Sequence, residues 1–253
     1  MKKYLCLLII LVTSVSFSQN KLIAVSKDSV ISIISPYNGD TIQRREKFYG
    51  FASLYGKQVV DYQYTYVDDF HEGLAFVYNY ITPEAGYIDT SGQMIIELPD
   101  YNIPPIDDDW NNRLPSFEFS EGLAAFYDNI SNKIGFINKQ GKVKITALYD
   151  DVGIFSEGAA YAAILGDKFP GYLKTGDGNT SDNIGYIDSK GRFLFTLPDS
   201  LINLTNGCYF HGEPFDNGEA LMYITENGAD CAGDYPFYQM TIDKKGQLTE
   251  TVK

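Results

Sequence analysis

Residues Gly86–Gly92 read Gly-Tyr-Ile-Asp-Thr-Ser-Gly, and the same phrase returns at Gly135–Gly141 and Gly185–Gly191 with only conservative changes at its fixed positions. Weaker copies lie at Gly50–Gly56 and Met240–Gly246. An Asp or Asn three residues before a Gly, between short apolar segments, is typical of a type I turn that ends in a left-handed glycine. Each copy therefore predicts one β-hairpin.

A second phrase, Phe-x-Glu-Gly-x-Ala, alternates with the first. It occurs at Phe70–Ala75, Phe119–Ala124 and Phe155–Ala160, and at Phe215–Ala220 with Asn in place of Glu. Its glycine predicts a tight turn with positive φ, its Phe predicts a core position, and its small Ala allows close packing. The two phrases together predict a repeating β structure.

The spacing of the phrases defines the repeat. The bare unit from Gly50 to Gly86 is 36 residues long, and surplus length marks insertions near 98–115, 165–182, 196–212 and 225–236. No stretch has a long 3.6-residue apolar period, so few helices are expected. The chain is predicted to be all-β, an array of about four to five 36-residue antiparallel hairpin repeats. An open, solenoid-like array is favoured, and a closed propeller or barrel-like ring is the alternative.

The order and spacing of these phrases resemble the WG-repeat family over about Tyr49 to Gln247. The best match is Tyr149–Gly158, which reads Tyr-Asp-Asp-Val-Gly-Ile-Phe-Ser-Glu-Gly. The Trp-Gly pair that names the family is replaced throughout, with Tyr49, Ala85, Ile134 and Ile184 where the family has Trp. The resemblance implies a β-repeat array, often in bacterial exported proteins, and carries over no catalytic residue.

The first eighteen residues have the features of a secretory signal. Lys2 and Lys3 precede the apolar run Leu5–Val12, and Ser16-Phe17-Ser18 suits cleavage before Gln19. The predicted organisation is a signal peptide over 1–18, a capping hairpin over 19–47, and a WG-like repeat domain over 48–253. We expect a secreted or periplasmic protein with no membrane insertion after cleavage.

Charge and composition exclude several classes of function. The chain has 33 acidic and 20 basic residues, a net charge of -13. A same-sign field disfavours nucleic acid and anionic lipid as partners. With only two His and two Cys beyond the leader, the residues for common catalytic or zinc sites are scarce. We expect a protein that is not an enzyme and has no cofactor.

A weak calcium candidate lies in the second insertion. Asp177, Asn179, Ser181 and Asp188 occupy positions 1, 3, 5 and 12 of a loop that resembles a calcium-binding loop, since Ca²⁺ prefers six or more oxygen ligands. Two features oppose calcium. Position 6 is Asp182 instead of the Gly that a sharp turn needs, and Asp188 is also the turn residue of the first phrase. A solvated loop is the favoured interpretation.

Two hypotheses for function follow. In the first, a protein partner binds to the insertion loops, because repeat arrays present variable insertions on a regular frame. In the second, Tyr side chains with Asp107, Asp108, Asp109 and Trp110 bind a glycan or envelope polymer. The protein partner is favoured.

Cys208 and Cys231 lie in or beside the two C-terminal insertions, which flank one hairpin of the second type. Export would place them in an oxidising compartment, where a disulfide between them is predicted, with two free thiols as the alternative.

Overall fold

The computed structural model describes residues 21–34, 40–98, 115–164, 183–198, 210–225 and 237–252, and every regular element in these ranges is a β-strand. The strands form five small antiparallel sheets, which we number as units 1 to 5 along the chain. The prediction of an all-β repeat array is confirmed.

Each unit contains three or four strands that are consecutive in the chain. Unit 1 contains β1 (Leu22–Ile34), β2 (Thr41–Ser53) and β3 (Gln58–Tyr64). Unit 2 contains β4 (Tyr66–Val67), β5 (Leu74–Asn79), β6 (Glu84–Asp89) and β7 (Met94–Glu97). Unit 3 contains β8 (Leu123–Asp128), β9 (Lys133–Asn138) and β10 (Val143–Tyr149). Unit 4 contains β11 (Asp151–Val152), β12 (Ala159–Ile164), β13 (Asn183–Asp188) and β14 (Phe193–Thr196). Unit 5 contains β15 (Phe210–Gly212), β16 (Glu219–Thr225), β17 (Phe237–Asp243) and β18 (Leu248–Val252).

Each unit is a meander in which neighbouring strands in the sheet are also neighbours in sequence. Strand β1 pairs with β2 along its whole length, from Leu22 opposite Ser53 to Ile34 opposite Thr41. Strand β2 runs unbroken through residues 47 and 48, where the sequence predicts a boundary between a capping hairpin and the repeat domain. Strand β2 therefore belongs to both the predicted capping hairpin and the predicted repeat domain. The division into domains stays a prediction.

The hydrophobic core is a series of four layers, one between each pair of consecutive units. Strand β5 shows how an interior strand serves two layers, because successive side chains of a strand point to opposite faces. Ala75 and Val77 pack with unit 1, whereas Leu74, Phe76 and Tyr78 pack with unit 3. The described sheets stack in sequence order as an open array, and none of them closes into a ring.

The turns of the first phrase have the predicted geometry. Gly92, Gly141, Gly191 and Gly246 have φ between 69° and 86°. The Asp89 Oδ1 atom accepts the amides of Ser91 and Gln93 at 2.8 and 3.0 Å, and Asn138, Asp188 and Asp243 repeat this pattern. A hydrogen bond from Ser91 lowers the pKa of Asp89.

These glycines also fix the packing of one unit on the next. A Cβ atom added to Gly141 would lie 2.9 Å from Cγ2 of Ile96 in the preceding unit. In the same way, a Cβ atom added to Gly92, Gly191 or Gly246 would lie 2.6 to 2.8 Å from Val60, Ile145 or Phe195, respectively. Each turn therefore rests on the last strand of the unit before it.

Candidate functional site

The array has two opposite edges, and the turn edge carries both phrases. Strand β5 begins just after the Phe-x-Glu-Gly turn and β6 ends at the Asp-x-x-Gly turn, with Leu74 opposite Asp89. In the second phrase not only the glycine but also the residue before it has positive φ, between 50° and 53° at Glu72, Glu121, Glu157 and Asn217. These are two-residue hairpin turns with both central residues left-handed, which suit the twist of paired strands.

The glutamate of each turn bonds to the next turn. The Oε2 atoms of Glu72, Glu121 and Glu157 accept the amides of Gly122, Gly158 and Gly218 at 3.1, 2.9 and 3.0 Å. The hydroxyls of Ser120 and Ser156 donate to the carbonyls of Phe155 and Phe215, each at 2.6 Å. The turns thus form a continuous hydrogen-bonded row.

Two lysines from the first phrase reinforce this row. The Lys139 ammonium lies 2.9 Å from Glu72 Oε2 and also donates to the Glu72 carbonyl, and Lys244 does the same at Glu157. The lysine bonds hold the pKa of both Glu72 and Glu157 below the usual value for glutamate. Unit 4 has Ser189 at the matching position, so lysine pairing alternates along the array.

The first and last turns depart from the pattern. The last turn has Asn217 instead of Glu, and no described turn follows it. The first has His71 in the Ser position, and its Nε2 lies 3.0 Å from Glu118 Oε2 of unit 3. Nearby, burial raises the pKa of Asp68, which accepts a 2.5 Å hydrogen bond from the Tyr66 hydroxyl.

Aromatic pairs join the units beneath the turn row. The aromatic residue of the first phrase packs against the Phe of the following second phrase, with ring centroids 4.7 to 4.9 Å apart at all four junctions. The pairs are Phe51 with Phe70, Tyr87 with Phe119, Phe136 with Phe155, and Tyr186 with Phe215. Phe155 is fully buried, as its place in the phrase predicts.

The opposite edge, which we call the insertion edge, holds the anchor residues of the predicted insertions. In unit 2 this edge is closed by the short hairpin between Asn79 and Glu84, and the Asn79 Oδ1 atom accepts the amide of Ile81 at 2.9 Å. The connection from unit 1 to unit 2 lies beside that hairpin, because the Tyr80 amide donates to Thr65 Oγ1 at 3.1 Å. Hairpin tips and inter-unit connections therefore share one edge.

Anchors of all four insertions lie at this edge. Ile164 pairs with Asn183 and Thr225 pairs with Phe237, at hairpin tips. The Leu98 amide donates to the Ala85 carbonyl and the Leu197 amide to the Ile184 carbonyl, which places the other two connections beside such tips. The insertions thus begin or end on the side of the array away from the turn row.

Most of the predicted site residues lie outside the described residues. This is true of Asp107, Asp108, Asp109 and Trp110, of Asp177, Asn179 and Ser181, and of Cys208 and Cys231. Asp188 is described, and its carboxylate is engaged by the Lys190 and Arg192 amides and by the Arg192 guanidinium. Within the described ranges no cluster of three or more His, Cys, Asp and Glu side chains could hold a metal ion.

The Ser and Glu of the second phrase have roles that sequence reasoning missed. Local turn geometry accounts for the glycine of the phrase, whereas the Ser and Glu side chains act on the following unit. The sequence did contain a signal of this role. Glu is present in the three turns that have a following turn to bond, and Asn217 replaces it in the last.

Stacked meanders with one hydrogen-bonded turn edge define an open β-repeat array, and comparison with known families identifies its repeats. The family model described as WG containing repeat matches residues 49–79 and 134–168, two segments within the region where the sequence predicts this resemblance. None of the curated proteins compared with the chain matches it.

Three of the residues that stand in the place of the family Trp are core residues. Ala85, Ile134 and Ile184 stand in its position, and each is buried in the layer shared with the following unit. In the described part of the chain no helix is long and apolar enough to span a membrane.

Proposed function

We propose that this protein is an exported, non-catalytic scaffold that binds a protein partner through its insertion loops. The observation that carries the proposal is the shared location of the insertion anchors, from Leu98 to Phe237, on one edge of the array. Variable segments on one side of a regular frame are a common arrangement for recognition.

The frame suits such a role because its four junctions repeat the same contacts. Aromatic pairs and glycine contacts recur at all four junctions and turn-to-turn hydrogen bonds at three of them, so the anchors are held on a repeating support. A rigid support reduces the conformational entropy lost when loops bind a partner. Export is supported by the leader-like sequence of residues 1–18, and it would put the insertions in contact with extracytoplasmic proteins.

The test is capture of partners from the native exporting cell with the mature full-length chain, followed by mass spectrometry. Each of four variants replaces one insertion. In two of these variants the insertion is a hairpin, 165–182 or 226–236, and the four-residue turn Asn129–Asn132 of unit 3 takes its place. A control variant carries Thr90→Ala and Lys245→Ala on the turn edge. Unfolding midpoints by circular dichroism confirm that all variants are folded.

We expect at least one insertion variant to lose a specific protein that the control retains. Retention of the same proteins by all four insertion variants, or their equal loss from the control, would overturn the proposal. Capture of a polysaccharide in place of a protein would favour glycan binding by the same edge.

A further inference from the structure

The two ends of the array differ in how their outer faces are built. In interior strand β5 every residue is buried, because a unit lies on each side. Register places Ile23 of β1 where unit 2 has Ala75, since Ile23 pairs with Ala52 as Ala75 pairs with Ile88. Ala75 packs toward the preceding unit, but Ile23 is 38% exposed. Ile23 is therefore an uncovered apolar residue on the outer face of unit 1, beside its buried cross-strand partner Ala52.

The first turn of unit 1 extends this uncovered face. The other four turns rest their glycine on the preceding unit, whereas a Cβ added to Gly56 would meet nothing within 4 Å. The two residues before Gly56 are apolar, and Leu54 is 59% and Tyr55 88% exposed. The matching residues of the other turns are all polar, for example Thr90 and Ser91.

The outer face of unit 5 has polar residues at several of the positions that face a following unit. By register, Glu219, Thr241 and Glu250 of unit 5 occupy the positions of Leu74, Tyr87 and Ile96 in unit 2, whereas the half-buried Leu221 and Tyr223 occupy those of Phe76 and Tyr78. The unit 2 residues are buried, and Glu219 is exposed. A polar outer face is what a terminal capping repeat needs for solubility. Unit 5 has polar residues, as a cap does, at Glu219, Thr241 and Glu250, whereas Ile23, Leu54 and Tyr55 of unit 1 are exposed and apolar.

Charge also distinguishes the N-terminal end. Residues 21–64 contain six basic and four acidic side chains, whereas residues 65–253 contain twelve basic and 29 acidic ones. Two N-terminal units can therefore approach each other without bringing the strongly acidic regions of two chains together.

We propose that the outer face of unit 1, formed by Ile23, Leu54, Tyr55 and Gly56, docks on the same face of a second copy of this chain. Within the array this side of each interior sheet is covered by apolar residues of the preceding unit, and a second copy of unit 1 would supply apolar cover for Ile23 in their place. A head-to-tail filament would bury the exposed carboxylate of Glu219 against the apolar residues of unit 1, and the desolvation cost disfavours that arrangement. A two-fold contact between identical faces closes after two copies, the commonest symmetry of soluble oligomers.

The experiment is sedimentation velocity on the mature full chain from submicromolar to high micromolar concentration. We compare wild type with Leu54→Glu/Tyr55→Glu, which places charge in the proposed contact. Two matched controls place new charge elsewhere: Ile130→Glu at a 94% exposed hairpin position of unit 3, and Glu219→Arg on the face of unit 5. All changes are at exposed positions, and equal urea midpoints establish that the variants are folded.

We expect wild type and both controls to form dimers and no larger species. The double variant should raise the dimer dissociation constant about thirtyfold or more, as loss of an apolar hot spot does. A wild type that is monomeric throughout, or a double variant that dimerises like the controls, would overturn the proposal. If wild type forms species larger than a dimer and Glu219→Arg abolishes them, the association is head-to-tail, which would also overturn the proposal.

Discussion

The turn edge and the insertion edge contain the same strands but follow different sequence rules. On the turn edge, hairpins keep a fixed length and bond to one another, as Glu121 does to Gly158. On the insertion edge, the hairpin that takes four residues between Asn79 and Glu84 in unit 2 takes eighteen between Ile164 and Asn183 in unit 4. Length is constrained where turns contact the next unit and varies where they do not. Four predictions test this contrast.

The largest effect is expected at the aromatic junctions beneath the turn edge. Phe155→Ala should destabilise the protein by about 3 to 5 kcal/mol, because a fully buried ring packed 4.9 Å from Phe136 is removed. Alanine substitutions within 165–182 should each have a smaller effect. Urea unfolding followed by circular dichroism measures the free energy of unfolding of Phe155→Ala and of the insertion variants. Equal losses would contradict the predicted difference between the turn edge and the insertion edge.

Two glycines separate backbone strain from packing between units. Gly191 and Gly158 have φ of 76° and 80°, but only at Gly191 would a Cβ meet another unit, 2.6 Å from Ile145 Cγ2. Gly158→Ala should lose about 1 to 2 kcal/mol through its left-handed backbone alone. Gly191→Ala should lose about 1 to 3 kcal/mol more through overpacking. The difference in free energy of unfolding is the test, and identical losses would exclude a packing role for Gly191.

The hydrogen bonds between turns should have a smaller effect. Ser156→Ala should destabilise by about 0.5 to 1.5 kcal/mol, because the Phe215 carbonyl loses its 2.6 Å donor. Ser189→Ala is the control, since it removes an exposed hydroxyl from a turn of the same unit. Matching urea midpoints for the two variants would show that the bond does not stabilise the junction.

The smallest effect concerns acid stability. The folded pKa of Glu72 is lowered, with the Lys139 hydrogen bond as the largest cause, so this group stabilises the fold above the unfolded glutamate pKa of about 4.3. That contribution is lost as pH falls through the lowered pKa. Lys139→Met should therefore lose a few tenths of a kcal/mol at pH 7 and less near pH 2, where only the bond to the Glu72 carbonyl remains to be lost.

Urea midpoints at both pH values test this, with Lys190→Met on the turn of unit 4 as the control. A deficit of the same size at pH 2 and pH 7 would mean that Lys139 acts through packing and not through the charge of Glu72.

The sequence predicts much of the frame because its turns depend on local chemistry. Asp89 and Gly92 close a hairpin through bonds within five residues, so the phrase alone indicates the turn. The partners of Ser156 and Glu157 lie about sixty residues away, and no local pattern identifies them. The exposed face at Leu54 and Tyr55 could not be predicted either, because exposure there depends on which unit is first.

The boundaries of the family matches have a consequence for how such a chain can lengthen. The segment 49–79 starts within β2 of unit 1 and ends with β5 of unit 2, so one sequence repeat spans two sheets. Duplication of a gene segment of this length would supply the second half of one sheet and the first half of the next. The strands of each duplicated segment would pair with strands of the sheet before it and of the sheet after it. Growth by duplication would therefore leave both end units unchanged.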